Sequence, residues 1–183
     1  MFVCKPKSKR NIQDDCLLVR KALGMQDRRR VPIVAVLERA IPLAFEDFSF
    51  AVVPDAELPD AEAKANPATQ SIRVRESVYL AATNGNPRAR FTLAHELGHL
   101  FTLSEIPDDD PRAGFFRRER NAPSKAYLDP EWQADEFAAD FLAPVPMVRG
   151  LSTAEVAESF GVSITVAMRQ LRKVDSTLGR SFK

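Results

Sequence analysis

Histidine is almost missing from this chain, with two residues in 183, and cysteine is equally scarce. Cys4 and Cys16 stand without CxxC spacing, so neither a disulfide framework nor a cysteine zinc knuckle is indicated. No uninterrupted apolar run approaches the roughly 18 residues that a membrane span needs. The opening Met1-Phe2-Val3-Cys4-Lys5-Pro6-Lys7 lacks the apolar core of a secretory signal, and the expectation is a cytoplasmic protein. An excess of one charge is missing too: 26 Lys and Arg against 25 Asp and Glu leave +1. That balance argues against whole-surface binding to nucleic acid. What is present is 45% apolar residues, too many for a disordered chain and enough to bury a core without staples. Function must therefore sit in a local constellation.

Residues 1–30 read as a basic arm (Lys5, Lys7, Lys9, Arg10) and a helix in which Ile12, Cys16, Val19 and Leu23 recur at helical spacing before Gly24. Residues 31–148 read as the main domain, and 149–183 as a helical hairpin and tail. Pro32 suits the first turn of a helix to about Ala40. Phe45 to Val53 is rich in aromatic and β-branched residues and predicts a strand, and the proline-punctuated 54–67 a loop. Ser71 to Arg75 alternates as a half-exposed strand, with an edge that could take an extended peptide, and Val78 to Ala82 could continue it or pair with it. Asn86-Pro87 and Asp129-Pro130 each combine a cap with a first-turn proline and open helices running to about Phe101 and to just before Pro144. Residues 105–126 read as a loop. Ser152 and Glu155 form a capping box, and Gly161-Val162-Ser163 a turn and a new cap, which together resemble a helix-turn-helix.

The chemistry concentrates in His95-Glu96-Leu97-Gly98-His99. Residues four apart on a helix share a face, with β-carbons about 6 Å apart. Two imidazoles there can share one Zn2+ at about 2.1 Å each. Glu96 can reach a metal-bound water and take its proton as the water attacks a carbonyl. Two histidines fall at this separation by chance about once in a hundred sequences, and the intervening Glu lowers that roughly tenfold.

A hydrolytic zinc site wants three protein ligands plus water. No third histidine exists, Cys16 belongs to an amphipathic helix and Cys4 to the polar arm, so a carboxylate is left. The helix from Glu131 supplies candidates. Glu131 is the first choice as ligand, with Asp135 and Glu136 as alternatives. Asp135, one turn on from Glu131, could instead accept a hydrogen bond from a ligand histidine and fix its tautomer.

Arg90-Phe91-Thr92-Leu93-Ala94-His95-Glu96-Leu97-Gly98-His99-Leu100, followed by Glu131-x-x-Ala134-x-x-Phe137-Ala138-Ala139-x-x-Leu142-x-Pro144, resembles the ImmA/IrrE family of metallopeptidases over residues 30–175. The resemblance implies that His95, His99 and Glu131 bind zinc and that Glu96 is the catalytic base. It also implies a substrate among helix-turn-helix repressors, or pairing with such a regulator in a toxin–antitoxin arrangement. Ala143 departs from the methionine common there before the proline, at a packing position.

An oxyanion also needs a donor. Tyr127, just before the Glu131 helix, is the first candidate, ahead of Tyr79 and Arg118. The arginines of the C-terminal hairpin (Arg169, Arg172, with Lys173) read as solvated rather than aimed at DNA. The expectation is an α+β zincin-like fold with a helical metal site, a small mostly antiparallel sheet and a C-terminal helix-turn-helix-like hairpin. The expected activity is zinc-dependent endoproteolysis of a protein, with a metal-containing, non-catalytic DNA- or partner-binding regulator as the alternative.

Overall fold

A computed structural model describes residues 2–105 and 126–178. The expected loop at 105–126, with Arg118 and the arginine cluster at 117–120, lies almost wholly outside the described residues.

Two helices form the centre. Helix α5 (Pro87–Thr102) starts where Asn86 accepts hydrogen bonds from the N–H groups of Arg88 and Ala89, and Pro87 occupies a first-turn position that has no amide to satisfy. Its buried face runs through Ala89, Leu93, Ala94, Leu97 and Gly98. Helix α6 (Pro130–Leu142) repeats the arrangement, with the Asp129 side chain accepting from the Glu131 N–H. The two helices approach closely because Gly98 has no side chain. A β-carbon there would stand 3.1 Å from the Ala134 backbone and 3.2 Å from the Phe137 ring.

Around this pair lie α1 (Lys9–Ala22), a helical run made of α2 (Ile33–Ala35), a π-helical turn and α3 (Ile41–Ala44), α4 (Glu76–Thr83), α7 (Val145–Val148), α8 (Thr153–Phe160) and α9 (Ile164–Leu178). Strands β2 (Ser49–Val53), β3 (Ala63–Asn66) and β4 (Ser71–Arg75) form one sheet in the order β2-β4-β3, with β2–β4 parallel and β3–β4 antiparallel. A second, antiparallel ladder joins β1 (Phe2–Cys4) to β5 (Leu103–Glu105) at the end of α5. The fold is thus α+β. One cluster of buried side chains runs from Ile12 and Cys16 through Leu93 and Phe141 to Val156 and Val174.

Four local expectations change. Part of the basic arm is strand β1, and α1 begins at Lys9, capped by Ser8. Residues 78–82 are helical: one β-branched residue, Val78, is outweighed by Leu80-Ala81-Ala82, and Asn84-Gly85 ends the turn. The expected 54–67 loop contains β3. Because β3 covers one side of β4 and β2 the other, the alternating strand with Ile72 and Val74 is central and offers no free edge.

Buried arginines tie separate segments of the chain together through backbone carbonyls. Arg20 is 0% exposed and donates to the carbonyls of Phe141 (2.6 Å) and Arg28. Arg90, 4% exposed, donates to those of Val31, Phe160 and Gly161. Gly161 turns the chain between α8 and α9 at φ 64°, a conformation that disfavours residues with a β-carbon.

Candidate metal centre

Helical spacing puts His95 and His99 on one face of α5, and the Gly98–Ala134 contact brings the first turn of α6 over them. His95 Nε2 and His99 Nε2 stand 3.0 Å apart. The Glu131 carboxylate faces both, at 3.2 Å from His95 Nε2 and 3.4 Å from His99 Nε2. These three side chains are the group of potential metal ligands found among the described residues.

The donor set fits a cation. Ligands about 2.0–2.1 Å from a tetrahedral ion stand roughly 3.4 Å from each other, close to the separations here. Two imidazoles and one carboxylate would leave a tetrahedral ion one further position for a water. The tautomer of His95 follows from its partner. Asp135 Oδ1 lies 2.9 Å from His95 Nδ1, and an ionised carboxylate can only accept, so Nδ1 carries the proton and Nε2 presents its lone pair. No described residue accepts from His99 Nδ1, although that atom is buried.

The electrostatics separate the two rings. Burial works against a charged His95, but the bond to Asp135 and the charges of Asp135, Glu96 and Glu131 outweigh it and raise its pKa. His99 is pushed down by burial and by neighbouring His95. The bond to His95 holds the Asp135 carboxyl below its usual range. Burial raises Glu96, partly offset by a hydrogen bond that its Oε2 accepts from the Ala65 N–H at 2.6 Å. Sequence patterning gave no hint of that last contact, because β3 sits in a segment that reads as loop.

The remaining expected residues are spread differently. Glu136, an alternative ligand, points away from the histidines and pairs with Arg169 (2.8 Å) and Lys173 (2.6 Å) of α9. Tyr127 lies in a short 3-10 turn (Ala126–Leu128). Its carbonyl accepts from Gln133 Nε2 and the Lys7 N–H, while the residue is 41% exposed and, among the described residues, no hydrogen bond joins its hydroxyl to the site. Tyr79 is on α4 and donates to Glu38. Both cysteines are poor metal donors, since burial pushes Cys4 up to about 12 and Cys16 well above its ordinary value.

No described helix is long and apolar enough to cross a membrane. The family model for the IrrE N-terminal-like domain of Peptidase_M78 matches residues 55–172, which hold both histidines, Glu131, the sheet strands β3 and β4, and most of the hairpin. No curated protein matches the sequence. Among solved structures, a Mycobacterium tuberculosis transcriptional regulator is similar, with TM-score 0.55 and 18% identity. The similarity covers 88% of this chain and 46% of that one, so this chain spans less than half of the regulator's length. At that identity the likeness is one of fold.

Proposed function

Because the chain belongs to the Peptidase_M78 family, with its IrrE N-terminal-like domain, we propose that it is a zinc-dependent endopeptidase of the HExxH type. On this reading His95, His99 and Glu131 hold the metal, and a helix-turn-helix repressor is the substrate. The observation that carries the reading is the convergence of Glu131, from a second helix, on two histidines that flank Glu96. A structural zinc site needs no neighbouring base.

Zinc held there would acidify a water and polarise the scissile carbonyl. Glu96 takes the proton of the attacking water and passes it to the leaving amine. Asp135 keeps His95 in the tautomer that leaves Nε2 free to ligate. Tyr127, four residues before Glu131, is proposed to donate to the developing oxyanion, and Tyr127→Phe should then lower turnover without changing metal content.

The test begins with elemental analysis of protein purified without added metal or chelator. About one zinc per chain is expected, and none after zinc is offered would overturn the proposal. Glu96→Gln should keep that zinc and lose about 10²–10⁴-fold in cleavage of a helix-turn-helix repressor substrate. Retained turnover would remove Glu96 from its role. The alternative, a DNA-binding regulator, is disfavoured by the engagement of Arg169 and Lys173 with Glu136 on α6.

A further inference from the structure

We infer that the backbone N–H of Ala65 is the positioning group for Glu96, anchoring Oε2 so that Oε1 is the atom that exchanges the proton. The inference rests on the peptidase reading above and adds to it where the base is fixed, and by what.

The parity of the β3–β4 ladder supplies the argument. The Arg75 N–H donates to the Glu62 carbonyl at 3.0 Å, and the register continues Ala63↔Val74, Lys64↔Arg73, Ala65↔Ile72. Hydrogen-bonded and non-hydrogen-bonded pairs alternate along an antiparallel ladder. Glu62 and Lys64 therefore bond inward to β4, while Ala63 and Ala65 turn their N–H and C=O groups to the outer edge. At that edge no described strand follows β3, and the Ala65 N–H meets Glu96 Oε2 instead.

Helix α5 runs along this edge and is pinned at three successive turns. Arg88 Nη2 donates to Glu62 Oε1 at 2.6 Å, Thr92 Oγ1 donates to Glu62 Oε2 at 3.1 Å, and Glu96 accepts from Ala65. Residues 88, 92 and 96 share one helix face. The base is thus held through the same face that aligns the helix with the sheet. An amide can only donate, so it stays bonded to Oε2 whether the carboxyl is ionised or has taken a proton on Oε1. The side chain keeps its place through the proton cycle.

Two measurements test this. In the zinc-loaded protein, amide hydrogen exchange read by NMR should find Ala65 protected despite its outward position. Glu96→Ala should speed its exchange at least about tenfold, with Lys64 unchanged. Rapid exchange of Ala65 in the unaltered protein would overturn the inference, and this readout needs no substrate. The second uses protein loaded with Co2+. Ala65→Pro removes only an outward N–H, which an edge strand tolerates, and should shift the visible cobalt absorption. Ala63→Pro, which deletes an outward N–H not bonded to Glu96, should leave it unchanged. In a Glu96→Gln background, Ala65→Pro should add nothing. A spectrum that ignores Ala65→Pro, or a shift that persists without Glu96, would overturn the assignment. If Ala65→Pro fails to fold, the exchange measurement decides. A chain that binds neither Zn2+ nor Co2+ sinks the peptidase reading instead, and leaves the exchange result to stand or fall alone.

Discussion

One hydrogen bond distinguishes His95 from His99. His95 Nδ1–H has Asp135 as acceptor, and His99 Nδ1 has none among the described residues. An acceptor of this kind fixes the ring and increases the basicity of the other nitrogen, and its loss usually costs about 10–100-fold in metal affinity. Asp135→Asn should show that loss in a zinc competition titration. It should also move the pH dependence. Metal and proton compete for Nε2, and His95 holds its proton to a higher pH than the ordinary 6.5. Removing the Asp135 charge also lets the competing proton leave at lower pH, so the affinity deficit of the variant should be smaller in acid than at neutral pH. Glu131→Ala should abolish stoichiometric zinc, and full retention would move the third ligand elsewhere.

At the scale of elements, the site depends on how closely α5 and α6 approach. Gly98→Ala places a methyl 3.1 Å from the Ala134 backbone, tighter than a packed interior accepts, and the helices must part by a few tenths of an ångström. Overpacking of this kind costs about 1–3 kcal/mol. Chemical denaturation should show that loss together with weaker zinc binding, because Glu131 rides on the displaced helix. Both helices were readable in the sequence, since cap, proline and apolar spacing are local signals. The histidine pair was readable for the same reason, one helical turn being fixed by geometry. Spacing alone put Glu131 ahead of Asp135 and Glu136 as the proposed third ligand, the family resemblance strengthened that choice, and the packing separates the other two from it. Asp135 reaches the far nitrogen of His95, and Glu136 faces α9. Strands β1 and β3 were not readable. Each is short, and β1 is stabilised only by a partner about a hundred residues away. Arg20 was likewise hidden, because a charged residue at a buried position gives no hydropathy signal.

Across the whole molecule, α9 is locked to α6, the helix that carries Glu131, by buried charge. Lys173 lies 2.6 Å from Glu136 and 2.7 Å from Asp140, and Gln170 donates to Asp140 and to the Ala143 carbonyl. Lys173→Met would leave two carboxylates buried with less compensation, at a cost of about 3–5 kcal/mol in urea unfolding. The pH dependence has a definite sign for Glu136. Burial opposes its charge, but Lys173 and Arg169 outweigh burial and hold its pKa below the ordinary 4.5. Its contribution is therefore complete above about 4.5 and is lost as pH falls through the lower folded value. Asp140 behaves oppositely, since burial raises its pKa and folding favours its protonated form. In Lys173→Met the destabilisation should shrink on acidification, as both carboxyls can then take protons. A deficit independent of pH would place the role of Lys173 in packing alone.

The contacts of α1 also carry a consequence in time. Cys16 bonds to the Phe137 carbonyl and Arg20 to that of Phe141, each across 121 residues of chain. A ribosome adding about 5–20 residues per second needs roughly 6–24 s to make that length. For that interval the first helix exists without the surface it is shaped to cover, its buried arginine still in water. His95 and His99 emerge before Glu131 in the same window. Assembly of the candidate metal centre and burial of the first helix therefore wait on the same late segment of the growing chain.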